Sequence, residues 1–134
     1  SIAAAIGRAQ LEKLPEFVAA RRRNADRLDE VLADSPLVTP TEPDRRRHVY
    51  HQYTVRCSDR AAVEDALDDR RIDTGVYYPT PIHEQPAYDG VSAAAPVATQ
   101  LADEVLSLPV HPGVDGDDID RIGRAIAEHA EVTA

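Results

Sequence analysis

Three runs, residues 49–56, 72–78 and 106–110, are the only stretches that read as β-strands, and helical patterns separate them. The order helix, strand, helix, strand, helix, strand, helix could describe a parallel α/β sheet. Yet the strands are few and short, and no Gly-rich phosphate turn follows any of them. The pattern therefore predicts an α+β domain: a small, mostly antiparallel sheet with helices packed on one face, plus a long leading helix that makes contacts elsewhere. At 134 residues the chain fits one domain with a single modest core, and it shows no internal repeat.

The leading helix is read over residues 2–33, where Ile6, Leu14, Phe17, Val18, Leu28, Val31 and Leu32 recur at helical spacing. Its first residues, Ser1-Ile2-Ala3-Ala4-Ala5-Ile6, read as helix interior without a cap. With no methionine in the chain, that start is expected to be a cut from something longer. Pro15 should kink or divide the helix, since it lacks an N–H donor. Arg21, Arg22 and Arg23 read as a solvated face rather than a nucleic-acid patch. Residues 1–34 form this leading segment, and residues 35–134 form the α+β body.

Residues 37–47 carry two prolines and many charges and read as a loop. In the first strand Val49, His51, Tyr53 and Val55 should share one face, with Tyr50, Gln52, Thr54 and Arg56 on the other. Asp59 is a good N-cap for a helix through Arg71, with Val63, Ala66 and Leu67 inward. Gly75 inside the second strand predicts a bulge or a close approach by another backbone or a ligand. The long connection at residues 79–96 is proline-rich, with Asp89-Gly90 as a turn signal. A helix over 97–105 should turn Leu101 and Val105 inward. The last helix should start at Asp117 or Asp118 and bury Ile119, Ile122 and Ile126, its early acids suiting the positive end of the helix dipole.

The formal net charge is −9, and Lys13 is the only lysine. Such an acidic chain disfavours nucleic acid as a partner. An Asp-rich, Lys-poor composition predicts either a high-salt habitat or a GC-rich genome, and salt would screen its self-repulsion. Cys57 stands alone, so no internal disulfide is possible and a reducing cytoplasm fits. No signal peptide or apolar run of membrane-spanning length is visible, so no membrane is expected as a partner.

Few patterns carry chemistry. His48 and His51, three apart on a strand, face opposite sides, which argues against one shared metal ion; His51 reads as a hydrogen-bonded core histidine. Ser1, Ser35, Ser58, Ser92 and Ser107 sit in no nucleophile elbow, and Cys57 has no evident general base. The dense segment is 77–88, where Tyr77, Tyr78, His83 and Gln85 stand among three prolines. Proline lowers the entropy cost of holding a loop in one shape, so these groups could meet a polar ligand with little ordering on binding. The same segment could instead be a structural loop covering a sheet edge.

Four pieces together resemble the DegT/DnrJ/StrS family of pyridoxal-phosphate-dependent sugar aminotransferases. AAIGRAQLEKLPEFVAARR is similar to the stretch leading from that family's large domain into its small one. HVYHQYTVR looks like its H-x-Y-H-x-Y strand, GVYYPTPIHEQPAY its proline-rich segment, and EVLSLPVHPGVDGDDIDRI its C-terminal strand and helix. The resemblance implies the C-terminal small domain of an enzyme aminating a nucleotide-linked keto sugar. Glutamate would be the amino donor, and a lysine would form a Schiff base with pyridoxal 5'-phosphate. In such enzymes that lysine and the cofactor contacts lie in the large domain, which would precede Ser1. Lys13, beside Glu12 on the leading helix, is no substitute, so the chain alone is expected to be inactive and to carry no catalytic residue. His83 and Tyr77 or Tyr78 would face the cleft on the substrate side. The helix over residues 2–14 would line a homodimer interface, and its exposed apolar groups would favour self-association. The family also has regulatory members that no longer transaminate. The competing expectation is an independent α+β module that binds a small molecule or a partner protein.

Overall fold

The computed structural model describes residues 1–90 and 94–133; Ser92 and its two neighbours in the proline-rich connection lie outside the described residues. Helix α1 runs unbroken through Pro15 from Ile2–Val31. Its start is capped after all: Ser1 Oγ accepts the Ala4 N–H at 3.4 Å. Residues 1–17 are exposed, so the carbonyl that Pro15 leaves without an N–H partner can turn to water, and the helix continues. Ile6, Leu14 and Phe17 are exposed, and burial begins only at Ala25, Leu28 and Leu32.

Strand β1 (Tyr53–Arg56) pairs antiparallel with β2 (Val105–Leu108), with Tyr53 opposite Leu108 and Arg56 opposite Val105. Each outer edge carries one further bridge. Val38 exchanges both backbone hydrogen bonds with Arg56, and Gly75 does so with Ser107. The result is the small antiparallel sheet expected, but all three strand runs are shorter than the sequence pattern implies, the third by one residue and the first two by far more.

Physical reasons are visible in the first two. Residues 49–52 do not join β1, because the Tyr50 N–H is spent on His48 Nδ1 at 2.8 Å and Tyr50 takes a left-handed φ of 45°. The run 72–78 is a single bridge at Gly75. The antiparallel register would next set Asp73 opposite Pro109, which has no N–H to offer. Gly75 does mark a close approach: a Cβ there would lie 2.9 Å from the Tyr77 ring.

Helix α2 (Arg60–Asp68) begins at Asp59, whose Oδ1 accepts the Ala62 N–H at 3.1 Å. It buries Val63 and Leu67, with Ala66 half-buried. It ends short of Arg71, which turns to a φ of 57° so that the Ile72 N–H reaches back to the Leu67 carbonyl. Helix α3 (Pro96–Glu104) buries Ala102; Leu101 is half-buried, and Val105 already belongs to β2. Helix α4 (Gly116–Thr133) buries Ile119, Ile122 and Ile126 as expected, and Ala125 with them.

Helix α4 packs against both α1 and α2. Gly123 lets α1 come close, since a Cβ there would sit 2.9 Å from Val31 Cβ. Tyr50, Tyr53, Val55, Leu106 and Leu108 join these helices in one core. Cys57 lies in that core as a free thiol, its pKa pushed up to about 11 by burial, which makes it inert as a nucleophile. Among the described residues no helix is long and apolar enough to cross a membrane.

Candidate functional site

The left-handed turn at Tyr50 decides what faces outward. It sends Tyr50 into the core (4 % exposed) and reverses the expected alternation at residues 49–51, while Tyr53 and Val55 share the inward face as expected. His51 therefore is not the core histidine its position suggested; it is exposed. Two arginines of α1 hold this arrangement. Arg21 Nη1 donates to the carbonyls of Tyr50 and His51 at 3.1 and 2.9 Å. Arg22 grips both oxygens of Glu42 at 2.6 and 3.1 Å and also donates to the His48 carbonyl. Glu42 in turn accepts the His48 N–H at 2.6 Å. The Arg22 hydrogen bond, aided by the His48 N–H, pulls the Glu42 carboxyl down to about 2. Arg21 and Arg22 are thus fasteners, and only Arg23 fits the solvated face expected of all three. A sequence signal for this exists: Arg21 lies four, seven and eleven residues before the buried Ala25, Leu28 and Leu32, on the same helical stripe.

Three hollows adjoin along this face. One of about 390 Å³ is lined by Tyr77, Tyr78, Thr80 and Gln85. Tyr77 also walls a second, of about 340 Å³, with Arg21, His51, Gln52, Ser107 and His111. His51 and Gln52 pass into a third, of about 420 Å³, with Arg47, His48 and Thr54. The chain carries 24 Asp and Glu, yet among the described residues no carboxylate lines any of the three. The walls present guanidinium, imidazole, amide and hydroxyl groups, a lining suited to an oxygen-rich or anionic ligand.

The structure brings Tyr77 and Tyr78 to one hollow, 60 % and 76 % exposed. His83 stands apart from it. Its Nε2 lies 3.4 Å from Thr99 Oγ1 on α3 and 3.3 Å from Glu84 Oε1, while the Thr99 hydroxyl donates to Glu84 at 2.9 Å. These contacts tie the short helical turn Ile82–Glu84 to α3. Gln52, His111 and Arg21 were missed as lining residues, because chain-distant segments only meet once the sheet forms, and Arg47 because it stands in a charged loop.

Among the described residues no three His, Cys, Asp or Glu side chains gather to hold a metal ion. The residues present do not fit an aldehyde cofactor either. Lys13, the one lysine, stands on the exposed half of α1 and lines none of the three hollows.

The chain is 37 % identical over 124 residues to a UDP-N-acetyl-3-dehydro-alpha-D-glucosamine 3-aminotransferase of Acidithiobacillus ferrooxidans, covering 92 % of this chain and 34 % of that protein. It is 36 % identical over 131 residues to a pleiotropic regulatory protein of Geobacillus stearothermophilus, covering 93 % of this chain and 35 % of the relative. Its fold superposes on S. venezuelae DesV, a crystal structure in complex with a ketimine intermediate. The TM-score is 0.90 at 34 % identity, over 96 % of this chain and 36 % of DesV. The chain thus spans about a third of the length of the curated relatives it matches. The profile of one family matches residues 1–127, nearly the whole sequence, and on that match the chain belongs to the DegT/DnrJ/EryC1/StrS aminotransferase family.

Proposed function

We propose that the chain is the C-terminal small-domain part of a pyridoxal-phosphate-dependent aminotransferase acting on nucleotide-linked keto sugars. The observation that carries this reading is the family match over residues 1–127, in a chain spanning about a third of relatives named as nucleotide-sugar aminotransferases. The Schiff-base lysine and the cofactor contacts would belong to the remaining two thirds of that length. This chain would supply the substrate side of the cleft and be inactive alone. Glutamate would be the amino donor, and the assembly a cytoplasmic homodimer. The exposed Ile2, Ile6, Leu11 and Leu14 of α1 would be covered there by the rest of the protein or a second subunit.

Tyr77, Tyr78 and His83 would meet the substrate. The two tyrosine hydroxyls are free of protein partners among the described residues, so both can bond sugar or phosphate oxygens. His83 has Nε2 occupied on the Thr99 and Glu84 side, which leaves Nδ1 for a substrate group.

A chimera tests this. The chain replaces the corresponding third of the Acidithiobacillus relative, and transamination of its UDP-keto sugar is followed. Activity should be retained, and Tyr77→Phe, Tyr78→Phe and His83→Ala should each lower kcat/KM by about tenfold, the scale of one lost hydrogen bond to a polar substrate. The isolated chain should form no borohydride-stable adduct between Lys13 and pyridoxal phosphate. A folded but inactive chimera, or a stoichiometric Lys13 adduct, would sink the reading.

A further inference from the structure

The arginine loop is not used by anything described so far. Arg45, Arg46 and Arg47 are consecutive and exposed, and none of the three guanidinium groups takes a protein partner among the described residues. Arg22, Arg27, Arg56, Arg70 and Arg121, by contrast, reach carboxylates. The loop's own acids do not quench it. Glu42 has both oxygens committed to Arg22 and to the His48 N–H, and Asp44 pairs with none of the three arginines.

Arg47 opens onto the 420 Å³ hollow, whose polar lining is Arg47, His48, His51, Gln52 and Thr54. Each of these side chains can donate. The case of His48 is fixed by geometry: its Nδ1 accepts the Tyr50 N–H at 2.8 Å, so the neutral ring carries its proton on Nε2. Arg21 and Arg22 pin the backbone of His48, Tyr50 and His51, so the two imidazoles hang from a fixed stretch of chain before any ligand arrives.

We propose that this hollow binds a phosphate-class polyanion, with Arg47, His48 and His51 as its binding side chains and Arg45 and Arg46 supplying attraction from the rim. A guanidinium beside several N–H and O–H donors matches phosphate oxygens, which accept in bidentate fashion. The concavity favours a short anion over a flat acidic protein surface. The chain's net charge of −9 would repel a long nucleic-acid backbone, but a diphosphate is small enough to feel mainly the local arginines. The diphosphate of a nucleotide sugar and free pyrophosphate share this chemistry. The site stands whether or not the aminotransferase reading does.

The test is a titration of the full 134-residue chain with inorganic pyrophosphate and, separately, with UDP, followed by amide NMR shifts. Saturable shifts should be confined to residues 45–54. Arg47→Gln should weaken pyrophosphate binding by about tenfold, the scale of one charge-assisted pair, and His51→Ala by several-fold. Lys13→Gln, remote on α1, should change nothing. Arg45→Gln with Arg46→Gln should flatten the salt dependence. UDP binding tighter than pyrophosphate, with added shifts at Tyr77 and His111 in the neighbouring hollow, would point to a nucleotide diphosphate. Equal binding would point to the phosphate groups alone, and either result supports the site. No saturable shift, shifts spread over arginines throughout the chain, or an Arg47→Gln variant that binds like the parent would overturn it.

Discussion

Two pairs of tyrosines divide the molecule between holding shape and meeting solvent. Tyr50 and Tyr53 are 4 % and 0 % exposed, their rings stacked with centroids 6.2 Å apart. The Tyr53 hydroxyl donates to Asp29 Oδ1 at 2.5 Å, fastening β1 to α1. Tyr77 and Tyr78 are 60 % and 76 % exposed, on a proline-stiffened segment, with hydroxyls that no protein group takes among the described residues. Residue type is the same in both pairs. The backbone decides the difference: a left-handed turn and an antiparallel ladder drive the first pair inward, while the second pair follows the point where the sheet ends at Gly75.

The hardest blow to that division is Tyr53→Ala, which empties a ring-sized volume of the core and should cost about 3–5 kcal/mol in urea denaturation. A loss below 1 kcal/mol would mean that the first pair is not structural. Tyr53→Phe keeps the ring but strands the Asp29 carboxylate, and should cost about 1–3 kcal/mol. Alkali probes the same pair without mutation. Burial, and for Tyr53 then the Asp29 hydrogen bond, raises both phenols above their usual value near 10. The folded state therefore keeps protons that the unfolded chain gives up. Their contribution is complete below about pH 10 and declines above it. Thermal melts of the parent should fall over that range, and those of a Tyr50→Phe, Tyr53→Phe variant should fall less.

Acid acts on the clamp beside them. Glu42 is depressed to about 2 by Arg22 and the His48 N–H, so its contribution is present above about pH 4.5 and fades as pH drops toward 2. Glu42→Gln should flatten that part of the pH–stability curve. The smallest effects belong to the exposed pair: Tyr77→Phe and Tyr78→Phe should shift stability by less than about 0.5 kcal/mol while weakening ligand contacts. Gly75→Ala sharpens the contrast, since its methyl would displace the Tyr77 ring. It should perturb Tyr77 fluorescence while leaving the melting temperature nearly intact.

Much of the scaffold was legible because it rests on local signals. Asp59 caps α2 by its own side chain, and Ile119, Ile122 and Ile126 recur at the helical period. The strand lengths were not, because they depend on partners: Tyr50 leaves the ladder through its N–H bond to His48, Arg21 takes the carbonyls of Tyr50 and His51, and residue 73 would face Pro109, distant in sequence. His51 was misplaced for the same reason, as one left-handed residue inverts a period-2 pattern. At the site, the crowded 77–88 segment was visible from its residue types. The donors opposite it were not, since Arg21, Gln52 and His111 share a wall only after β1 and β2 pair.

The unbroken α1 has a mechanical corollary. From Ala25, where it is first embedded, to Ile2 it extends about 34 Å at the α-helical rise. A tilt of about 5° at the anchored end would swing the far tip by roughly 3 Å, so the rod works as a lever arm. Whatever seats against Ile2 and Ile6 is aimed by how tightly Gly123 and Val31 mesh far away, and a single added methyl at that notch would mis-point the whole arm.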